Sequence, residues 1–372
     1  MLVRKIYFIF ILLLSGTLAF SSENVNEGEE HATPKEEKSF EPGSFIFDHI
    51  LDSHEWHICE IGETAISIPL PIIVYSRKQE KLLVFMSSKF HHGHSSYNGL
   101  MLPAEGPHKG KIIEVDENGN FDELAQTPLD FSITKNVASL FISIIIILCI
   151  FLSVAKAYKK RPLEAPRKLQ SWIEPLIIFV RDDIARPAIG EHKYGRYMPF
   201  LLTVFFFIFI NNLMGLIPVF PGGANLTGNI AVTMVLAIFT FLLTSFTANL
   251  GYWKHIVNAP GVPWWLKAIP LMPIVEIVGM FTKPFVLMVR LFANISAGHI
   301  IALGFFSLIF IFGNMSIGAG YGISVVSVGF AIFMSILELL VAFIQAYVFT
   351  LLSAIYFGLA TEEHHKEHEP IH

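Results

Sequence analysis

Charge is what this sequence has least of. Of its 372 residues, 15% are Asp, Glu, Lys or Arg and 53% are hydrophobic, whereas soluble domains carry about 25% charged residues. That imbalance excludes an ordinary soluble globular protein and points to a membrane protein. Cysteine is nearly absent: Cys59 lies in the polar first part and Cys149 in an apolar helix, so no disulfide framework is expected. Equally absent are a GxxxxGK[ST] phosphate loop, an HExxH zinc motif and a nucleophile elbow. Nucleotide hydrolysis, zinc proteolysis and serine-hydrolase chemistry are thereby excluded, and no cofactor, metal or nucleic-acid partner is expected.

What is present divides the chain. Residues 1–21, MLVRKIYFIFILLLSGTLAFS, combine Arg4 and Lys5 with a short apolar run and small residues at Ala19 and Ser21, the pattern of a secretory signal peptide rather than a retained anchor. Residues 22–130 form a polar segment expected outside the cytoplasm. It opens on SSENVNEGEEHATPKEEK, too poor in apolar residues to fold alone, and continues with the strand-like runs ISIPLPIIVYS, KLLVFMSSKF and KIIEVDENGNF, the last reading as a hairpin around Asn118-Gly119-Asn120. Its histidines (His49, His54, His57, His91, His92, His94) show no metal-ligand spacing and read as solvated surface residues.

Residues 131–361 carry the membrane-spanning pattern. Asn136–Ala155 is uncharged and long enough for one span. A basic, proline-broken stretch with an amphipathic segment follows, suited to a cytoplasmic loop holding a surface-lying helix. Tyr197–Trp253 contains no Asp, Glu, Lys, Arg or His, and PVFPGGAN at Pro218–Asn225 supplies the turn of a helical hairpin. Lys254, His255 and Lys267 mark a second basic loop, and Ala268–Ala360 breaks near Gly313–Gly322 into two long helices. The fold class is therefore an all-α polytopic membrane protein with five transmembrane helices, preceded by an external segment with some β. Lys and Arg cluster after the first and third helices, which places the N-terminus outside and residues 362–372, a short tail, in the cytoplasm.

Within the two long helices the polar residues form a pattern. Glu276, Lys283 and Arg290 are seven apart and share one helical stripe, with Asn294 about 40° away and His299 on nearly the opposite face. The last helix carries Glu338 and Gln345, again seven apart, and Tyr356 on the same stripe. Each residue has an ordinary explanation: Lys283 and Arg290 snorkelling to headgroups, Glu276 at the surface, Asn294 and Gln345 as interhelical hydrogen-bond partners, His299 and Glu338 as one buried pair. Together they form a polar stripe in helices otherwise apolar, the mark of an ion path. Arg290 is the puzzle. A central arginine costs ~2.5 kcal/mol or more on insertion scales, and from Pro284 to Leu337 no carboxylate accompanies it. A permanently protonated group cannot relay protons, but a fixed positive charge lowers the pKa of a neighbouring carboxylate by ~1–3 units. The carboxylate it serves is expected on another subunit.

RLFANISAGH (Arg290–His299), with IQAYVFTLLSAIYFGLATEEHH on the next helix, resembles the a subunit of the F-type ATP synthase membrane sector; NLMGLIP (Asn212–Pro218) and EIVGMFTKP (Glu276–Pro284) support the match. The resemblance covers roughly residue 131 to the C-terminus. It implies a non-catalytic stator subunit of a bacterial inner membrane, embedded in lipid beside a ring of c subunits, with b subunits and the rest of the synthase as partners. It further implies two offset half-channels leading to the c-ring carboxylate. Arg290 matches the arginine that separates them, and Asn294 and Gln345 match polar residues lining the path. His299 and Glu338 match an outer-channel pair, in reversed order relative to some members, and Glu276 matches an acid toward the cytoplasmic exit. The external segment is larger than the family's usual N-terminus, and topology suggests that it packs over the channel's outer mouth. A secondary ion-coupled transporter would predict an internal repeat, which is not visible; an intramembrane enzyme lacks its nucleophile or metal, and a purely structural anchor leaves Arg290 unexplained.

Overall fold

The computed structural model describes residues 52–61, 64–93, 95–103, 108–116, 127–162, 164–217, 220–257 and 271–361, together with Gly43, Gly106 and Phe121. The expected signal peptide, the C-terminal tail, Lys267 and the turn Asn118–Asn120 lie outside these residues, although Val115 and Phe121 on either side of that turn are bridged antiparallel.

The polar first part forms a small β layer. Strands β1 (Glu55–Ile61) and β2 (Thr64–Pro69) pair antiparallel; β3 (Pro71–Ser76) lies between β4 (Lys81–Met86) and β7 (Leu129–Asp130); β5 (Leu100–Met101) pairs with β6 (Ile113–Glu114). β3 follows the period of two: Ile72 and Val74 point inward with no exposed surface and pack with Phe90, Leu100 and Ile112. Phe90 closes this core edge-on to Phe85, with ring centroids 5.3 Å apart.

From Lys135 onward the chain is helical. In order come α1 (Lys135–Lys160), α2 (Leu169–Phe179), a π-helical turn (Val180–Ala185), α3 (Arg186–Ile189), α4 (Tyr194–Leu216), α5 (Ile230–Thr247), α6 (Leu250–Val257), α7 (Leu271–Met315) and α8 (Ile317–Thr361). Five of them, α1, α4, α5, α7 and α8, are long and apolar enough to cross a bilayer. Their burial is inverted relative to a water-soluble bundle. In α1 the buried residues are Lys135, Asn136, Ser139, Ser143 and Val154, while Phe141, Ile145, Leu148 and Leu152 are exposed. In α5 Thr233, Ala237, Thr240 and Thr244 are buried, while Val235, Phe239 and Phe246 face out. Such helices put small and polar groups against one another and offer their apolar faces to the solvent, which is sensible only where that solvent is hydrocarbon.

Packing centres on α4 and the second half of α8. Leu201, Phe205 and Ile208 of α4 meet Ala346, Phe349, Ala354 and Phe357 of α8 in one buried cluster, and Tyr197 stacks on Phe357 at 4.7 Å. Small residues on α8 allow the close approach. At Gly358 a Cβ would come within 2.0 Å of the Ala188 carbonyl oxygen, so any side chain there would push α8 off α3. The sequence placed the boundary between the two long helices between Gly313 and Gly322; it falls at Ser316, where Gly320 packs against Gly313. Helix α6, which begins within the expected hairpin run and ends in the expected basic loop, and strand β1 are elements that the sequence pattern does not mark. At 45 residues each, α7 and α8 are ~68 Å long. A helix of that length exceeds a ~30 Å hydrocarbon layer, and tilting is one way to accommodate the excess.

Candidate functional site

Helices α7 and α8 run antiparallel, and three contacts set their register: Phe305 stacked on Phe330 at 4.9 Å, Gly298 against the Glu338 carboxylate, and the Lys283 ammonium over the Tyr356 ring at 5.6 Å. The same register brings Gln345 level with Arg290. Glu338, level with Gly298, lies about eight residues or ~12 Å further along the hairpin axis than Arg290.

Arg290 is exposed on the outer surface of α7. Among the described residues no carboxylate lies within 4.0 Å of its guanidinium. The positions one turn away along its face, Val286 and Ala293, are exposed too, as is Ala297. Gln345 is buried behind it, 6% exposed.

A cavity of about 160 Å³ begins one turn beyond Arg290, at Asn294. Its walls are Asn294, Gly298 and His299 of α7, Glu338 and Ala342 of α8, Asn211 and Asn212 of α4, and Asn225 and Thr227 of the loop before α5. His299 leaves α7 on the side away from Arg290, as its nine-residue spacing predicts, and its Nε2 approaches Gly215 at the end of α4. His299 and Glu338 face the same space without a hydrogen bond or ion pair between them among the described residues. One network fixes the wall: Thr227 Oγ1 donates to Asn212 Oδ1 at 2.5 Å, and Asn212 Nδ2 donates to the Ala342 carbonyl at 3.3 Å. Three other buried polar atoms on this cavity, Asn211 Oδ1, Asn225 Nδ2 and Glu338 Oε1, have no protein partner. A buried polar atom left unpaired costs ~1–3 kcal/mol, and a water needs ~10–15 Å³ of such space. The cavity is large and polar enough for several waters to satisfy all three atoms.

On the other side of Arg290 a smaller cavity, about 20 Å³, ends at Leu287, three residues before it. Lys283 and Met280 of α7, Thr240 and Thr244 of α5, Tyr252 of α6 and Tyr356 of α8 line it. Glu276 is half-buried one helical turn past Met280. Tyr252 reports its proximity: burial, and then the negative charge of Glu276, push the phenol above its usual value. Arg290 thus stands on α7 between two cavities, one on each side along the helix.

The structure therefore brings Asn294, His299 and Glu338 into one cavity, sets Gln345 level with Arg290, and leaves Glu276 beside the second cavity. It adds Asn211, Asn212, Asn225, Thr227, Thr240, Thr244 and Tyr252, which composition alone did not single out. For four of them the sequence holds a signal: Asn211 and Asn212 are adjacent amides inside an uncharged run, and Thr240 and Thr244 follow Thr233 at spacings of seven and four on one helix face. Among the described residues no group of three metal-ligating side chains occurs.

Comparison with known proteins covers both parts of the chain. Residues 45–131 match a family described as a domain of unknown function. ATP synthase subunit a of Chloroherpeton thalassium is 45% identical over 254 residues, spanning 65% of this chain and 72% of that protein. ATP synthase subunit a 2 of Chlorobaculum tepidum is 44% identical over 248 residues, 64% of this chain and 67% of that protein. ATP synthase subunit a of Myxococcus xanthus is 43% identical over 248 residues, covering 64% and 77% respectively. Residues 137–358, the whole helical part that holds Arg290 and both cavities, match the ATP synthase A chain family, and the chain is a multi-pass membrane protein belonging to that family.

Proposed function

We propose that this chain is the proton-translocating stator subunit of an F-type ATP synthase in a bacterial inner membrane, with Arg290 as the charge separating two half-channels. The observation that carries this reading is the placement of Arg290: exposed, without a carboxylate partner among the described residues, and bracketed along α7 by two cavities whose mainly apolar walls each include several polar side chains. A desolvated guanidinium needs a counter-charge. On this reading the counter-charge is a succession of carboxylates on a rotating c ring, each drawn to Arg290 in its ionised state and neutralised on either side.

The 160 Å³ cavity is the outer half-channel. His299 and Glu338 take protons from its water and deliver them past Asn294 toward the ring. The 20 Å³ cavity is the closed end of the inner half-channel, opening past Tyr252 and Glu276. Gln345, buried level with Arg290, supports the ring-facing surface from within. The positively charged segments after α1 and α5 put the N-terminus outside, residues 1–21 as a leader, 22–130 as an external segment, and residues 362–372 in the cytoplasm. ATP chemistry belongs to other subunits of the complex, and the remaining contacts are to b subunits and lipid. Separation of the two cavities is energetically essential. One charge crossing 100 mV supplies only ~2.3 kcal/mol, so several protons serve each ATP and any leak past Arg290 is costly.

Cysteines at Val286, Ala293 and Ala297, all exposed beside Arg290, provide the test. Oxidative cross-linking in the assembled complex is expected to join each to a cysteine placed next to the mid-membrane carboxylate of a co-purifying small proteolipid. Cross-links confined to lipid-facing controls such as Leu148, with none from the Arg290 face, would remove the proposal.

A further inference from the structure

Two sets of contacts join the β layer to the helical part, and one of them falls on the loop that walls the larger cavity. The first is the start of α1: the Lys135 amide donates to the Ser53 carbonyl at 2.8 Å and the Asn136 amide to Asp52 Oδ1 at 3.0 Å. The second is the loop between α4 and α5, where Trp56, 3% exposed, meets Phe220 edge-on with centroids 5.1 Å apart. That loop supplies Asn225 and Thr227 to the cavity wall.

The seam between these anchors is polar where a structural joint would be greasy. His54, Lys135 and Asn136 are all more than nine-tenths buried. His54 Nε2 shares a 2.9 Å hydrogen bond with Asp130 Oδ2. Burying such groups is expensive unless each is satisfied, yet His54 Nδ1 and Asn136 Oδ1 have no protein partner. The atoms left open on the larger cavity are of the same kind: Asn211 Oδ1, Asn225 Nδ2 and Glu338 Oε1. Open polar atoms thus occur both in the seam and on the cavity wall, and water is the ligand that fits them. An imidazole bonded to a carboxylate through one nitrogen and open at the other can take a proton from water on one side and release it on the other.

We propose that the β layer forms the mouth of the outer half-channel, and that protons reach His299 through the seam lined by Asp52, His54, Asp130 and Asn136. This rests on the half-channel reading above. It gives the segment matching the domain of unknown function a role in proton access. Trp56 on Phe220 seals the joint, so that flux follows the polar seam.

The test uses the purified holoenzyme in proteoliposomes and reads the initial rate of ATP-driven proton pumping. His54→Gln and Asp130→Asn, which keep the shape and part of the hydrogen bonding, are expected to slow pumping about tenfold; this is below the ~10²-fold of a strictly required proton-transfer group because water carries part of the flux. Ser53→Cys, assembled first and then treated in detergent with a cationic methanethiosulfonate before reconstitution, is expected to lose pumping to a similar degree and regain it on reduction. The parental chain, with Cys59 and Cys149 in place, is the control for that reagent. Reversible block of an assembled complex cannot arise from misfolding, so the cysteine arm decides the matter even where the other variants fail to assemble. Parental pumping in the modified Ser53→Cys enzyme, or no slowing in an assembled His54→Gln or Asp130→Asn enzyme, would overturn the inference. Arg290→Ala run alongside separates the two levels: pumping by that variant would refute the half-channel reading itself, whereas an inactive Arg290→Ala with unaffected seam variants would refute only the role of the β layer.

Discussion

Replacing Gly298 with alanine adds a single methyl group where α7 faces the Glu338 carboxylate. The new Cβ would sit 2.8 Å from Glu338 Oε1, 3.3 Å from its Cγ and 3.4 Å from its Cδ. Relaxed non-bonded contacts of carbon are ~3.5–4.0 Å, so the carboxylate must retreat by roughly half an ångström or more. Glutamate can do so by leaving its rotamer, at ~0.5–1.5 kcal/mol. Removing a glycine from a helix interior returns ~0.5–1 kcal/mol. The two nearly cancel, so assembly and thermal stability of the complex are expected to be unchanged within ~1 kcal/mol. Position is another matter. A displacement of ~1 Å at a reacting group costs up to ~10²-fold, and ATP-driven proton pumping is expected to fall about tenfold. Glu338→Asp in the same chain withdraws the carboxylate by one methylene and is expected to relieve the clash, so that Gly298→Ala slows the aspartate enzyme much less than it slows the parent. An assembled Gly298→Ala enzyme pumping at the parental rate would refute the placement of Glu338 in the path, as would equal slowing in both backgrounds.

Other consequences follow the same geometry. His299→Ala with Glu338→Ala is expected to slow proton flux in a graded way, each single change less than the double, since both residues face one cavity; parental flux in the double variant would make them structural. Asp130 bears on acid stability. Burial raises its pKa, but hydrogen bonds from His54 and Ser132 outweigh that and hold the carboxyl below its ordinary 3.8. A folded pKa below the unfolded one stabilises above the unfolded value and is lost as pH falls through the folded value. Pepsin cleavage of the β layer should therefore accelerate as pH drops below about 4, and Asp130→Asn should remove most of that pH dependence. Trp56→Ala empties a site that is 3% exposed and is expected to cost ~3–5 kcal/mol, releasing the β layer to limited proteolysis while α4 and α8 stay protected.

Much of this was legible in the sequence because a bilayer imposes simple rules. The uncharged run Tyr197–Trp253 is too long for one helix, and Pro218–Asn225 can only be a turn, so α4 and α5 follow. The seven-residue spacing from Glu276 through Lys283 to Arg290 and the nine-residue step to His299 fixed which faces they occupy, because 3.6 residues per turn leaves little freedom over short distances. What stayed hidden depends on contacts between elements. Asn225 and Thr227 sit in a loop whose path is set by packing against α4, and no periodicity marks them. The partner of His54 is Asp130, 76 residues away; the β3–β7 ladder holds Asp130, His54 precedes β1, and no local signal joins the two. Strand β1 was missed because EWHICEI alternates weakly and carries glutamates at Glu55 and Glu60; pairing with β2 overrides its poor local signal.

The central claim is that a fixed, unshared positive charge at position 290 keeps the two cavities apart while attracting a carboxylate from outside the chain. Arg290→Lys tests it most directly, since lysine keeps the charge but loses the planar fork and deprotonates more readily. With the assembled holoenzyme in proteoliposomes, an imposed proton gradient is expected to drive no measurable ATP synthesis in the Arg290→Lys enzyme. Proton-driven synthesis at the parental rate in that enzyme would contradict the account.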